Sequence, residues 1–188
     1  MGYTVIPQST FQDLQLDAGV LLNTFDPTNP GTPADTAIIC ATTGGLQIAC
    51  VPEFEDFGED VDNCPNNTKE LKRITGWNCT FSTTALAASE EMIKLSLGAA
   101  TVTTSSGKIA PNRNLAQTDF EDAIWWVGDR ADGGLVAVKL INALSTGGFS
   151  LQTEKKGKGK FTLELTGHVS ISAQDVVPME FYVIEGTT

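Results

Sequence analysis

Apolar residues recur at every second position through most of this chain, and only one stretch carries them at helical spacing. In "LQLDAGVLLNTF" (14–25), Leu14, Leu16, Ala18, Val20 and Leu22 share one face, as in a half-buried strand. The segment 37–54 reads as a hairpin turning at Gly44-Gly45, with Leu46, Ile48, Cys50, Pro52 and Phe54 on one side. "LKRITGWNCTF" (71–81) is a further strand, with Trp77, Cys79 and Phe81 on one face and a bulge at Gly76. Helical spacing is confined to 84–97, where Ala85, Ala88, Met92 and Leu95 lie beside Leu86, Ile93 and Leu97. Thr83 or Thr84 is the expected cap of that helix and Gly98 its end.

Segment 101–122 reads mostly as connection, and strand-like runs resume at 123–129, 134–144 and 149–153. The run "GLVAVKLINAL" is apolar on both faces, which marks a central strand. In "KFTLELTGHVSIS" (160–172), Phe161, Leu163, Leu165, Val169 and Ile171 point one way, opposite Thr162, Glu164, Thr166 and His168. "EFYVIE" (180–185) is the last strand. The expected fold is mainly β: a sandwich or barrel of two sheets flanked by one helix, in a single domain over 1–188.

Charge is distributed unevenly. The formal net charge is −11, yet Lys155, Lys156, Lys158 and Lys160 place four of the twelve basic residues in six positions. They sit at a predicted hairpin tip, 154–160. "EFEDFGEDVD" holds Glu53, Glu55, Asp56, Glu59, Asp60 and Asp62, and it begins as the end of a strand and continues as a loop over 56–70. Loops of that length are usually functional or disordered. The acidic balance disfavours a nucleic-acid-binding surface. A pole of each sign suits a molecule that contacts copies of itself head to tail.

Catalytic chemistry is hard to assemble. The single histidine, His168, is expected on the polar face of a strand with no nucleophile near it in sequence. No nucleophile elbow, phosphate-binding loop or paired-histidine zinc motif occurs. Oxygen donors crowd "DFGEDVDNC" without the order of a calcium loop, so a solvated acidic loop is the simpler reading. Trp125 and Trp126 should face opposite ways, one into the core and one to an interface. Cys40, Cys50, Cys64 and Cys79 fit no zinc spacing. Cys40 and Cys50 are expected to face each other across a hairpin. All four read as reduced thiols of a protein made in a cytoplasm, since neither an export signal nor a membrane-spanning run is visible. No cofactor is expected.

The C-terminal stretch "GGFSLQTEKKGKGKFTLELTGHVSISAQDVVPMEFYVIE" (147–185) resembles the end of tail tube proteins of long, flexible-tailed bacteriophages. The likeness rests on a hairpin with a charged tip before "GKFTLELTGH". It also rests on "AQDVVPMEFYVIE", where a polar turn and a proline lead into a last apolar strand. "DAGVLLNTFDP", a hairpin, a long loop and "ITGWNCTF" before a helix repeat the layout. The resemblance implies hexameric rings that stack into a tail tube, with one sheet per subunit joining an inner barrel and a long loop reaching the next ring. It further implies a virion location, tape measure and tail terminator proteins as partners, and DNA passing through the lumen without specific binding. The acidic and lysine segments are then candidates for contact between subunits or rings. The rival readings are a monomeric carbohydrate- or calcium-binding sandwich, and another virion part such as a tail terminator or decoration protein.

Overall fold

A computed structural model describes residues 6–186. Ten strands and one helix follow in order: β1 (Gln15–Leu22), β2 (Thr42–Asp56), β3 (Lys72–Ala85), α1 (Glu90–Leu97), β4 (Ala100–Thr103), β5 (Lys108–Pro111), β6 (Glu121–Arg130), β7 (Leu135–Ser145), β8 (Leu151–Gln152), β9 (Lys160–Thr166) and β10 (Met179–Ile184). The protein is mainly β, with two sheets and one α-helix, as the alternation implies. Eight strands are continuously paired, apart from the small β4-β5 sheet, and they fold into two layers: the first sheet, β1-β6-β7-β10, and the second, β9-β3-β2, with β8 pairing β9 on its β7 edge. The central strand β7 belongs to both. It pairs with β6 and β10 along most of its length, then with β9 at Leu144 and Ser145.

The sheets face each other across one core. Leu21, Ile124, Trp126, Val138, Leu140 and Met179 come from the first sheet; Cys79, Phe81, Phe161, Leu163 and Leu165 come from the second. A satellite cluster of Leu22, Trp125, Val127 and Ala137 buries the other face of the first sheet, covered by Phe25 and Ala37. Helix α1 adds Met92 to the main core. Its buried Ser96 is held by a hydroxyl bond to the Met92 carbonyl, and the Ser145 hydroxyl donates to the Ser96 carbonyl.

Several expectations change once the strands pair. Gly44-Gly45 is a bulge inside β2 and not a hairpin turn: both glycines have φ near +80°, and β2 pairs with β3 on either side of them. Cys50 therefore faces Cys79 instead of Cys40. Thr83 and Thr84 lie in β3, paired with β2 on one side and β9 on the other, so ladder bonds override the helical pattern there. The helix starts at Glu90 behind Ser89, whose hydroxyl accepts from the Met92 N–H, and it ends at Gly98 as expected.

In β1, Asp17 and Gly19 both take positive φ and the register slips between Leu16 and Val20. The face expected to be buried turns outward: Leu14, Leu16 and Val20 are exposed, and adjacent Leu21 and Leu22 are buried on opposite faces. A side chain at Gly19 would collide with the Trp126 indole and the Val127 carbonyl. Strand β9 ends at Thr166, before "GHVSIS", leaving Val169 and Ile171 exposed. The segment 101–122 contains the small β4-β5 hairpin.

Candidate assembly surface

β2 and β3 are the longest strands, and only the inner part of their ribbon belongs to the sandwich. β3 pairs with β9 from Thr80 to Ala85, whereas its pairing with β2 continues outward to Asp56 and Lys72. Beyond Cys50 and Cys79 the ribbon is two-stranded and projects from the core. The period-two pattern continues past that point. Pro52 stands opposite Trp77, and Phe54 stands opposite Ile74. A bulge at Thr75-Gly76, where the sequence places one, keeps Ile74 on the face of Trp77. This face is the outward continuation of the core face and stays partly open: Phe54 is 55% exposed, Ile74 50% and Trp77 37%, with segment 174–178 bordering Ile74 and Trp77 across a groove. Glu53 and Glu55 occupy the opposite face.

The turn at the end of the ribbon is ordered by its own bonds. The Asp56 carboxylate accepts from the N–H groups of Gly58 and Asn67, both at 2.9 Å. The Leu71 carbonyl accepts from Phe57 N–H, and successive turns bond Val61 to Gly58 and Cys64 to Val61. Gly58 is buried, and a side chain there would press on Leu71 and Cys64. Asp56 is thus a clamp whose two oxygens are engaged by backbone. Glu53, Glu55, Glu59, Asp60 and Asp62 are exposed. Lys72 and Arg73 stand opposite Asp56 and Glu55 on the ladder, and Lys72 lies over the Phe54 ring at 5.3 Å.

The lysine stretch is a hairpin tip between β8 and β9, as the sequence indicates, with Leu151 opposite Phe161 and Gln152 opposite Lys160. Lys156 takes the left-handed conformation (φ 65°), and the Gly157 N–H donates to the Glu154 carbonyl. Gly157 leaves no room for a side chain beside Glu154. Lys155, Lys156, Lys158 and Lys160 are exposed, and none joins an ion pair among the described residues.

Topology sets the two charged segments far apart. The acidic turn leads into β3 at Lys72, and the lysine tip leads into β9 beside Ala85, at the other end of β3. A 14-residue strand spans on the order of 40 Å. The acidic turn therefore does not close onto the lysines of its own chain.

Other candidate residues fall into ordinary structural roles. Trp125 and Trp126 do face opposite ways, but both are buried. Trp126 donates to the Ala18 carbonyl in the β1 bulge, and Trp125 packs against Phe25 and Tyr182, with the Lys139 ammonium 5.4 Å from its ring centroid. His168 lies just beyond β9, with Nδ1 donating to the Asn142 carbonyl and its ring edge-on to Phe120. It borders a groove with Gln117, Asp122 and Ser170, and among the described residues no serine hydroxyl or cysteine thiol is bonded to it. Among the described residues no three His, Cys, Asp or Glu side chains gather as a metal would require. Among the described residues no helix is long and apolar enough to cross a membrane.

Two features escaped the sequence reading. One is the partly open apolar face of the outer ribbon, signalled by period two continuing to Phe54 in β2 and by Trp77 in β3, with the bulge adding Ile74. The other is the outer strand β10, where Phe181 and Val183 are 59% and 67% exposed at an edge without a further strand among the described residues. No protein-family model matches the chain, and no curated protein matches it.

Proposed function

We propose that this chain is a structural subunit that forms hexameric rings stacking into the tail tube of a long, flexible-tailed bacteriophage, a conduit for the genome. The observation that carries the reading is the polarity of the subunit. An acidic ribbon with a partly open apolar face projects at one end of β3, and a solvated lysine hairpin lies at the other. Stacked identical rings need heterologous contacts, so the two ends of one subunit must be complementary. The ribbon supplies the reaching element, Phe54, Ile74 and Trp77 its apolar contact, and Glu59, Asp60 and Asp62 its charge. Lys155, Lys156, Lys158 and Lys160 are the opposing charges. The unpaired edge of β10, with Phe181 and Val183, suits joining of sheets between neighbours within a ring. Tape measure and terminator proteins would be further partners, and the virion tail the final location.

DNA carries one charge per roughly 1.7 Å of duplex, so a net-negative subunit favours passage over retention. The burial of Trp125 and Trp126 removes the adjacent pair as a stacking platform for a carbohydrate-binding sandwich, and Asp56 is engaged by backbone N–H groups where a calcium loop would need a ligand.

Negative-stain electron microscopy of the purified protein across a concentration series tests the reading. Hollow tubes or stacked rings are expected. Dispersed monomer throughout, also in the presence of preformed tail initiation complexes, would overturn it. The charge pairing has its own test: Lys155→Glu with Lys156→Glu should block stacking, and admixed Glu59→Lys with Asp60→Lys should partly restore it. Normal tubes from the lysine variant would exclude the pairing without touching the tube reading.

A further inference from the structure

Cys50 and Cys79 stand directly opposite each other where the ribbon leaves the sandwich, with their Sγ atoms 3.5 Å apart. The Cys79 carbonyl accepts from the Gly167 N–H, on the side away from β2. In an antiparallel ladder the N–H and C=O of one residue point to the same side. Cys50 and Cys79 are therefore a non-hydrogen-bonded pair, the class in which Cα atoms approach to about 4.5 Å and side chains lie closest. That spacing falls within the roughly 4.4–6.8 Å that disulfides bridge. The two remaining thiols are placed elsewhere: Cys40 is buried in the core, and Cys64 is bonded to Thr68 in the acidic turn.

We propose that Cys50 and Cys79 are a dithiol–disulfide site whose reactant is a low-molecular-weight disulfide, and that its oxidation covalently closes the root of the projecting ribbon. Cys79 is fully buried and Cys50 is half-buried, so Cys50 is the entry point. The Cys50 thiolate attacks one sulfur of the small disulfide, displaces the other as a thiolate, and becomes a mixed disulfide. The Cys79 thiolate then attacks the Cys50 Sγ and releases the second small thiol. Two protein thiols are oxidised and one small disulfide is reduced to two thiols, which take up the two protons. The product encloses residues 51–78, the whole outer ribbon and the acidic turn.

Burial, reinforced by the hydrogen bond with Cys50, pushes the Cys79 thiol up to about 12 in the dithiol form. Burial persists once Cys50 is a mixed disulfide, whereas the bond to its thiol is lost. The resolving step therefore quickens with rising pH, because only the thiolate attacks. Proximity offsets the small thiolate fraction, since the two sulfurs are already in contact range.

The experiment treats the full-length folded protein with oxidised glutathione, then applies non-reducing intact mass measurement and peptide mapping. The expected result is a loss of two hydrogens per chain, a link between the Cys50 and Cys79 peptides, and Cys40 and Cys64 still free. The thermal midpoint should rise by on the order of 5–10 °C and return on reduction, since a long loop is closed. Cys79→Ala should halt at the glutathione adduct on Cys50, and Cys50→Ser should give no link. A stable adduct on Cys50 in the unsubstituted protein, a link through Cys64, or a link formed only in denaturant would each overturn the proposal. Peptide mapping of the unsubstituted protein decides it even if a variant fails to fold. The outcome is independent of whether the protein forms tubes.

Discussion

The inner and outer halves of the β2–β3 ribbon carry the same alternating pattern and meet opposite fates. In the inner half, Cys79, Phe81, Thr83 and Ala85 are buried; in the outer half, Phe54, Ile74 and Trp77 on the same face remain open to solvent. The strands are continuous and the residue types alike, so local sequence does not create the difference. It arises because β9 and the first sheet end, and the ribbon runs on. One face is core where another sheet lies over it and contact surface where none does.

Substitution should separate the two halves most sharply. Phe81→Ala is expected to cost about 3–5 kcal/mol in urea unfolding, the usual penalty for an emptied aromatic core site. Phe54→Ala combined with Ile74→Ala should change monomer stability by only ~0.5 kcal/mol, while sedimentation shows loss of higher-order assembly. A monomer destabilised as strongly as by Phe81→Ala would mean that the outer face is packed within its own subunit.

A middle-sized effect is expected at the end of the ribbon. Asp56→Ala removes the acceptor of two N–H bonds, so the turn should weaken by about 1–2 kcal/mol. Hydrogen exchange should accelerate at Gly58 and Asn67 with the core amides unaffected. Acceleration spreading into the sandwich would mean that the two halves unfold together.

The core beneath the inner half should also respond to alkali. Burial pushes the Cys40 thiol up to about 11 and the Cys79 thiol to about 12, from 9.0 in the open chain. Above pH 9 the unfolded chain loses these protons while the folded one holds them. Stability attributable to them therefore falls as pH rises from 9 through 11 and 12, by at most about 1.4 kcal/mol per pH unit for each thiol. Urea midpoints of the unsubstituted protein and of Cys40→Ala across that range should converge if the assignment holds. The smallest effect is at the charged tips. Each exposed ion pair contributes only about 0–1 kcal/mol, so raising salt toward 1 M should loosen stacking without dissolving contacts made by Phe54 and Ile74.

Much of this architecture was legible in the residues. Period two located β3 and β9, strand-like apolar runs located β6, β7 and β10, and double-sided apolarity marked β7 as central. Four lysines among glycines announced the tip between β8 and β9. The errors have a common origin. Gly44-Gly45 has the composition of a turn, but a strand partner on both sides converts it to a bulge. "STTALA" has helical spacing, but Thr83 and Thr84 gain ladder bonds from two neighbours at once. The β1 alternation was sound locally, and a bulge at Asp17–Gly19 reversed which residues it buries. The candidate surface was half legible: its charges were visible as runs, whereas its apolar face was indistinguishable from core.

The sequence alone determined the secondary-structure class, the single helix ending at Gly98 and the two charge poles, because alternation, capping and charge are properties of neighbouring residues. Only the tertiary structure decided that the poles lie at opposite ends of one strand, that Cys50 meets Cys79 and that Phe54 stays exposed. Those depend on strand partners, and partners are set by contacts between residues far apart in the chain, which no local pattern encodes.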